Sequence, residues 1–179
     1  MKVLVETDRL ILRELTDDDL EGMFVLDSDP VVHHFLGKSP IKDKLDAQKY
    51  IDKTREQYAT YGIGRWAAIE KETGDFIGWS GLKMNFENKM NGHRNFIDVG
   101  YRFIPKYWGK GYATESGKAA VAYGFETMKY SAIYGMAELE HKASRKALEK
   151  IGLVHVQDFM YEEENIPLAW YQIKNNYKS

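Results

Sequence analysis

The chain contains no cysteine. Disulfides, a thiol nucleophile and thiolate metal sites are therefore excluded, which agrees with a reducing compartment. An excess of either charge is missing too, because 25 Lys and Arg stand against 27 Asp and Glu, a formal net charge of −2. A general nucleic-acid binder carries a basic surplus, so this balance argues against one. No apolar run approaches the roughly 20 residues of a membrane-spanning helix. The opening MKVLVETDRLILREL alternates charged with apolar residues and lacks the continuous apolar core of a signal peptide. Repeats, low-complexity segments and linkers are also absent. Residues 1–179 read as one cytoplasmic domain, long enough to bury a real core.

What is present has clear periods. VETDRLILREL places Leu10 and Leu12 on one face and Arg9, Ile11 and Arg13 on the other, as a strand does. Thr16 followed by three aspartates opens a helix carrying Leu20, Met23 and Phe24. Pro30 and Pro40 bracket an irregular piece with His33 and His34, and a second helix runs from about Leu45 to Tyr61, ended by Gly62. A hairpin follows, with strands near 64–70 and 76–85, and then a polar loop over 87–95 expected to be mobile. FIDVGYRFI over 96–104 is a strand, Ala113 to Met128 a helix packed by small residues, SAIYGMAEL a strand and HKASRKALEKIG a helix. The tail reads as a closing hairpin whose turn holds Asn165 and Pro167. The order β α α β β β α β α β β predicts an α/β (α+β) protein, with a mixed sheet of about seven strands and helices on its faces.

The stretch YWGKGYATES stands between the 96–104 strand and the following helix. Glycine lets the backbone approach a ligand and adopt positive φ, and the unpaired amides of a first helical turn attract an anion. Lys110 adds a cation. The Walker pattern fails, since Gly109-Lys110 is followed by Gly111, and the dinucleotide fingerprint fails at Thr114. On the glycine pair alone, a phosphate site and a ligand-free tight turn both stand.

IDVGYRFIPKYWGKGYATES followed by HKASRKALEKIGL resembles the GNAT N-acetyltransferases. The branch named for ribosomal-protein N-terminal acetyltransferases, the RimJ/RimL type, is the most similar, and ETDRLILRELTDDDLEGMF and GRWAAIEKETGDFIGWSGL fit it as well. The family's phosphate loop, Gln/Arg-x-x-Gly-x-Gly/Ala, falls on Lys106 to Gly111, with Lys106 departing from the usual first residue. The resemblance implies a mostly antiparallel twisted GNAT sheet, splayed between the fourth and fifth of the seven expected strands, with acetyl-CoA as co-substrate and no metal. Its diphosphate would lie on the amides of Gly109, Lys110, Gly111, Tyr112, Ala113 and Thr114, with Trp108 covering the loop, and its pantetheine arm along the Phe103 end of the strand, with Ile104 also among the cofactor contacts.

Acetyl transfer to an amine needs a placed nucleophile, a stabilised oxyanion and a proton for the leaving thiolate. The tyrosine that gives that proton in many relatives falls on Leu148 here, which leaves Ser144 as the implied donor. His141 stands at the usual asparagine, either contacting the pantetheine or capping its helix. Asp98 stands where the family often has a glutamate and is the candidate base, with a water relay as the alternative. The acceptor is a protein N-terminal amine or a small-molecule amine. GNAT relatives are often dimers, so a homodimer is an open expectation. A catalytically silent acyl-CoA sensor is the alternative function.

Overall fold

Leu10 and Leu12 are fully buried on one side of the second strand of a single sheet. The structure is a computed structural model and describes residues 2–35 and 39–176. Eight strands are β1 (Val3–Glu6), β2 (Leu10–Arg13), β3 (Arg65–Glu70), β4 (Phe76–Asn85), β5 (Phe96–Phe103), β6 (Ala132–Glu138), β7 (Val154–Tyr161) and β8 (Ile166–Lys174). Four α-helices are α1 (Leu20–Ser28), α2 (Lys44–Tyr61), α3 (Tyr112–Glu126) and α4 (Lys142–Ile151). The sheet order is β1-β2-β3-β4-β5-β6-β8-β7.

Each neighbouring pair is antiparallel except β5 with β6, which run parallel and touch at one register pair, Asp98 with Tyr134. By contrast β4 and β5 pair continuously from Gly78–Phe103 to Asn85–Phe96. The sheet therefore opens between β5 and β6, as expected. Two details differ from the sequence reading. The first expected strand is two, because Thr7 turns the chain: its amide donates to the Leu10 carbonyl at 2.9 Å and the Leu10 amide to its hydroxyl at 3.0 Å. Pro167 lies in β8 opposite Met160 and not in the turn, near the start of the strand, where a missing donor costs little. Of the expected irregular piece, Leu36 to Lys38 fall outside the described residues.

One core lies between the sheet and α3 and α4, built from Leu82, Val121, Phe125, Ile133, Leu148 and their neighbours. The small face of α3 is necessary there: a Cβ at Gly124 would stand 2.6 Å from Ile133 Cδ1, and Ser116 and Ala120 are fully buried. A second core of Met23, Leu26, Ile51 and Trp79 lies under α1 and α2 on the other face. The 87–95 loop is tied down more than its polarity suggests, since His93 stacks on Trp170 at 5.1 Å.

His33, expected in a loop, is buried under the α1–α2 connection, and neither ring nitrogen has a hydrogen-bond partner among the described residues. Burial, helped by the Arg102 charge, holds its pKa below the ordinary 6.5, against the opposing pull of Asp27. The unfolded chain therefore takes a proton before the folded one does. Stability falls as pH drops below about 6.5 and continues to fall until the folded imidazole titrates. Thermal melts should show a smaller acid-induced loss in His33→Gln than in wild type over that window. An equal loss in both would clear His33 of the effect.

Candidate active site

β5 ends at Phe103, a one-turn helix follows over Pro105–Tyr107, and Gly111 caps the N-terminus of α3. Both glycines of the loop are left-handed, with φ of +71° at Gly109 and +84° at Gly111. That conformation is where glycine is favoured over any branched residue. The first amide to enter the helical ladder is Glu115, donating to Gly111 O at 3.0 Å. Among the described residues, the six amides from Gly109 to Thr114 have no backbone acceptor. Glycines 109 and 111 and Lys110 are exposed, and a Cβ at Gly109 would meet nothing within 4 Å, so the cradle faces open space. Six uncommitted donors with the positive end of a 15-residue helix suit an anion.

The loop is braced from across the chain. Arg9 Nη1 donates to the Lys110 carbonyl at 2.8 Å, while its Nε donates to Glu115 at 2.7 Å and its guanidinium lies 4.3 Å from the Tyr112 ring centre. Thr7 donates to the same carboxylate at 2.6 Å. Burial alone would raise the Glu115 carboxyl, and the bonds from Thr7 and Arg9 together draw it below its ordinary value. Exposed ion pairs add little stability, on the order of 0–1 kcal/mol. Arg9→Ala should thus leave the melting temperature nearly unchanged yet weaken anion binding at the loop several-fold, by about 1 kcal/mol. Isothermal titration with coenzyme A checks this, and unaltered affinity would remove Arg9 from the site.

The other residues expected to contact the cofactor lie near this loop. Phe103 is buried, Ile104 touches both cores, and Ala113 and Thr114 are half-buried in the first turn of α3. Tyr112 is buried and its hydroxyl donates to Glu70. Trp108 is 48% exposed, and its indole N–H donates to the Phe103 carbonyl at 2.6 Å. That acceptor, at the end of β5 where the arm was expected to run, is already taken.

At the far side of the opening, α4 begins at His141. Its Nδ1 accepts the Ser144 amide at 3.3 Å, a capping bond, and its ring stacks on Phe35 at 4.1 Å. Burial, with His34 nearby, lowers the His141 pKa. Ser144 meets a residue that motif matching missed: Tyr101 of β5 donates to the Ser144 carbonyl at 2.9 Å, and its hydroxyl oxygen is 3.4 Å from Ser144 Oγ. Burial pushes the Tyr101 phenol up to about 12, so it stays protonated at neutral pH. Leu148 is buried in the core and offers no proton. A hydroxyl from β5 thus lies beside the first turn of α4.

On the opposite face of the sheet lies a pocket of about 410 Å³ between the β4–β5 floor and β6 and β8. Asp98 lines it, buried, with Oδ2 held by Arg65 at 2.7 Å and Oδ1 by Asn85 at 2.8 Å. Both oxygens are engaged, which fixes the carboxylate's orientation in the pocket. Tyr101 and Asp98 sit on opposite faces of β5, as their odd spacing requires. The gap beside Asp98–Tyr134 is where the two sides meet. Among the described residues no cluster of His, Asp and Glu could hold a metal, and no helix is long and apolar enough to cross a membrane.

Comparison with known proteins bears on the family and the fold. A family model described as an acetyltransferase (GNAT) domain matches residues 9–154. The uncharacterized protein YkkB of Bacillus subtilis (strain 168) is 31% identical over 176 residues, 97% of each chain. The FsC-acetyl coenzyme A-N(2)-transacetylase of Aspergillus fumigatus is 28% identical over 166 residues, covering 91% of this chain and 70% of that one. A GNAT-family acetyltransferase crystal structure from Bacillus anthracis superposes with a TM-score of 0.79 at 23% identity, covering 96% and 98% of the two chains.

Proposed function

The chain belongs to the GNAT acetyltransferase family, and from that premise we propose that it moves the acetyl group of acetyl-CoA onto a primary amine by direct attack in a ternary complex. The observation that carries this reading is the run of six uncommitted amides, Gly109 to Thr114, on two left-handed glycines. That donor set fits a diphosphate. Lys110 adds positive charge, and Arg9 holds the loop in register through the Lys110 carbonyl. Bound acetyl-CoA supplies an activated acyl group; the chain's own residues do the rest.

Ser144 and Tyr101 hold hydroxyl protons on the α3–α4 side of the sheet opening, where a leaving thiolate needs one. Ser144 Oγ–H is the immediate donor, and Tyr101 sets its position. His141 orders the same turn through its bond to the Ser144 amide. The acceptor amine enters from the pocket on the α1–α2 side, a small molecule or a peptide N-terminus, and loses its proton to water held near Asp98. Because both Asp98 oxygens are bonded, we give Asp98 the role of ordering that water and Arg65. Leu148 at the family's tyrosine position favours a second reading, a silent CoA sensor.

The test is free-thiol release from acetyl-CoA with a panel of small amines and N-terminal peptides. Thiol release with at least one amine is expected. Tight CoA binding with silence across the panel would favour the sensor.

A further inference from the structure

Among the described residues seven charged side chains line the acceptor pocket, and their pairing is uneven. Arg65 is neutralised by Asp98 at 2.7 Å, Arg102 by Asp27, and Glu87 by Lys53 at 2.8 Å. Lys83 is the exception. It stands on β4 with its Cα directly opposite Asp98, is half-buried, lines the pocket, and has no carboxylate within ion-pair distance among the described residues. On the β4–β5 floor Lys83 is thus a cation with acidic neighbours, Asp98 and Glu87, but without a direct ion pair among the described residues. Glu138 and Glu164 lie across the pocket on the β6 and β8 side. The cavity is bipolar, positive at its floor and negative at its far wall.

Resting on the acetyltransferase reading, we infer that the pocket takes an amine that also bears a carboxylate, an amino-acid-like zwitterion, with Lys83 Nζ as the carboxylate's partner. The register sets the scale. Lys83, Asp98 and Tyr134 are aligned on three successive strands, so Lys83 is rooted about two strand spacings, roughly 10 Å, from β6. Lys83 lines the same pocket as Asp98, whose pairing with Tyr134 marks the opening where the nucleophile must sit. The carboxylate is then only a few bonds from the reacting nitrogen. Burial, and then the Arg65 charge, already hold the Lys83 pKa below its ordinary value, so an incoming anion relieves a desolvated cation.

The experiment measures thiol release from acetyl-CoA with the common L-amino acids, their carboxamides and cadaverine. At least one amino acid should show a KM about tenfold or more below that of its carboxamide. Lys83→Met should raise the amino acid's KM about tenfold and leave the carboxamide's within about twofold, while Lys83→Arg retains most of the preference. Wild-type preference for carboxamides or cadaverine, or a preference that survives in Lys83→Met, would overturn the inference while leaving acetyl transfer intact. If no amine releases thiol, thermal melts of the CoA-saturated protein decide. Stabilisation by an amino acid that disappears in Lys83→Met keeps the subsite and sinks the catalytic reading; no stabilisation by any amino acid overturns the subsite.

Discussion

Gly111→Val is expected to abolish coenzyme A binding, with affinity falling at least about a hundredfold, near 3 kcal/mol. The cause is backbone conformation. At φ of +84° a β-branched residue is strained by on the order of 1–3 kcal/mol, and the loop relieves that strain by leaving the left-handed region. Direct clash is minor, since a Cβ there would stand 3.5 Å from Arg9 Nη2, an ordinary contact. Once Gly111 rotates, the amides on either side of it no longer converge. Gly109→Val should be nearly as damaging for a second reason. Its Cβ projects into open space at φ of +71°, on the side where the cradle must receive its ligand. Gly92→Val is the control, because Gly92 has φ of +80° and equally empty surroundings in the 87–95 loop. It should lose comparable stability and keep its affinity. Titration calorimetry on the three variants separates strain from site. Parallel behaviour of all three would refute the cradle.

Turnover should collapse in Ser144→Ala and fall steeply in Tyr101→Phe, by about a hundredfold in the first case. Coenzyme A affinity should change only a few-fold in either. Tyr101→Phe removes one hydrogen bond to the Ser144 carbonyl and should cost about 1 kcal/mol of stability. Because Tyr101 acts through Ser144, the double variant should be little worse than Ser144→Ala alone. Additive losses would mean that the two hydroxyls serve separate steps. A normal kcat in Ser144→Ala would remove this pair from the chemistry altogether.

Residues that act through their own backbone were the easiest to read in advance. Glycines at 109 and 111 declare left-handed positions by composition, and the strand–glycine–helix order places them at a helix start. Helix and strand periods likewise marked each element, except where Thr7 bonds back to Leu10 and divides one expected strand into two. Side chains that act across space were harder. Tyr101 sits within a strand that was expected, yet nothing in its spacing says that α4 brings Ser144 to its hydroxyl. Arg9 and Glu115 are 106 positions apart and meet only because the β1–β2 turn lies beside the start of α3. His33 followed a loop composition and proved buried, because the connection it occupies folds over α1. Asp98 was legible as a strand acid and candidate base, whereas nothing in the sequence singled out Lys83. Their difference, one paired and one not, depends on Arg65 from a third strand.

A crystal structure of the protein with bound coenzyme A tests the central claim most directly. Diphosphate oxygens are expected within about 3 Å of the amides between Gly109 and Thr114, with the thiol end at the β5–β6 opening beside Ser144. A diphosphate bound anywhere else, with those amides turned to solvent, would contradict it.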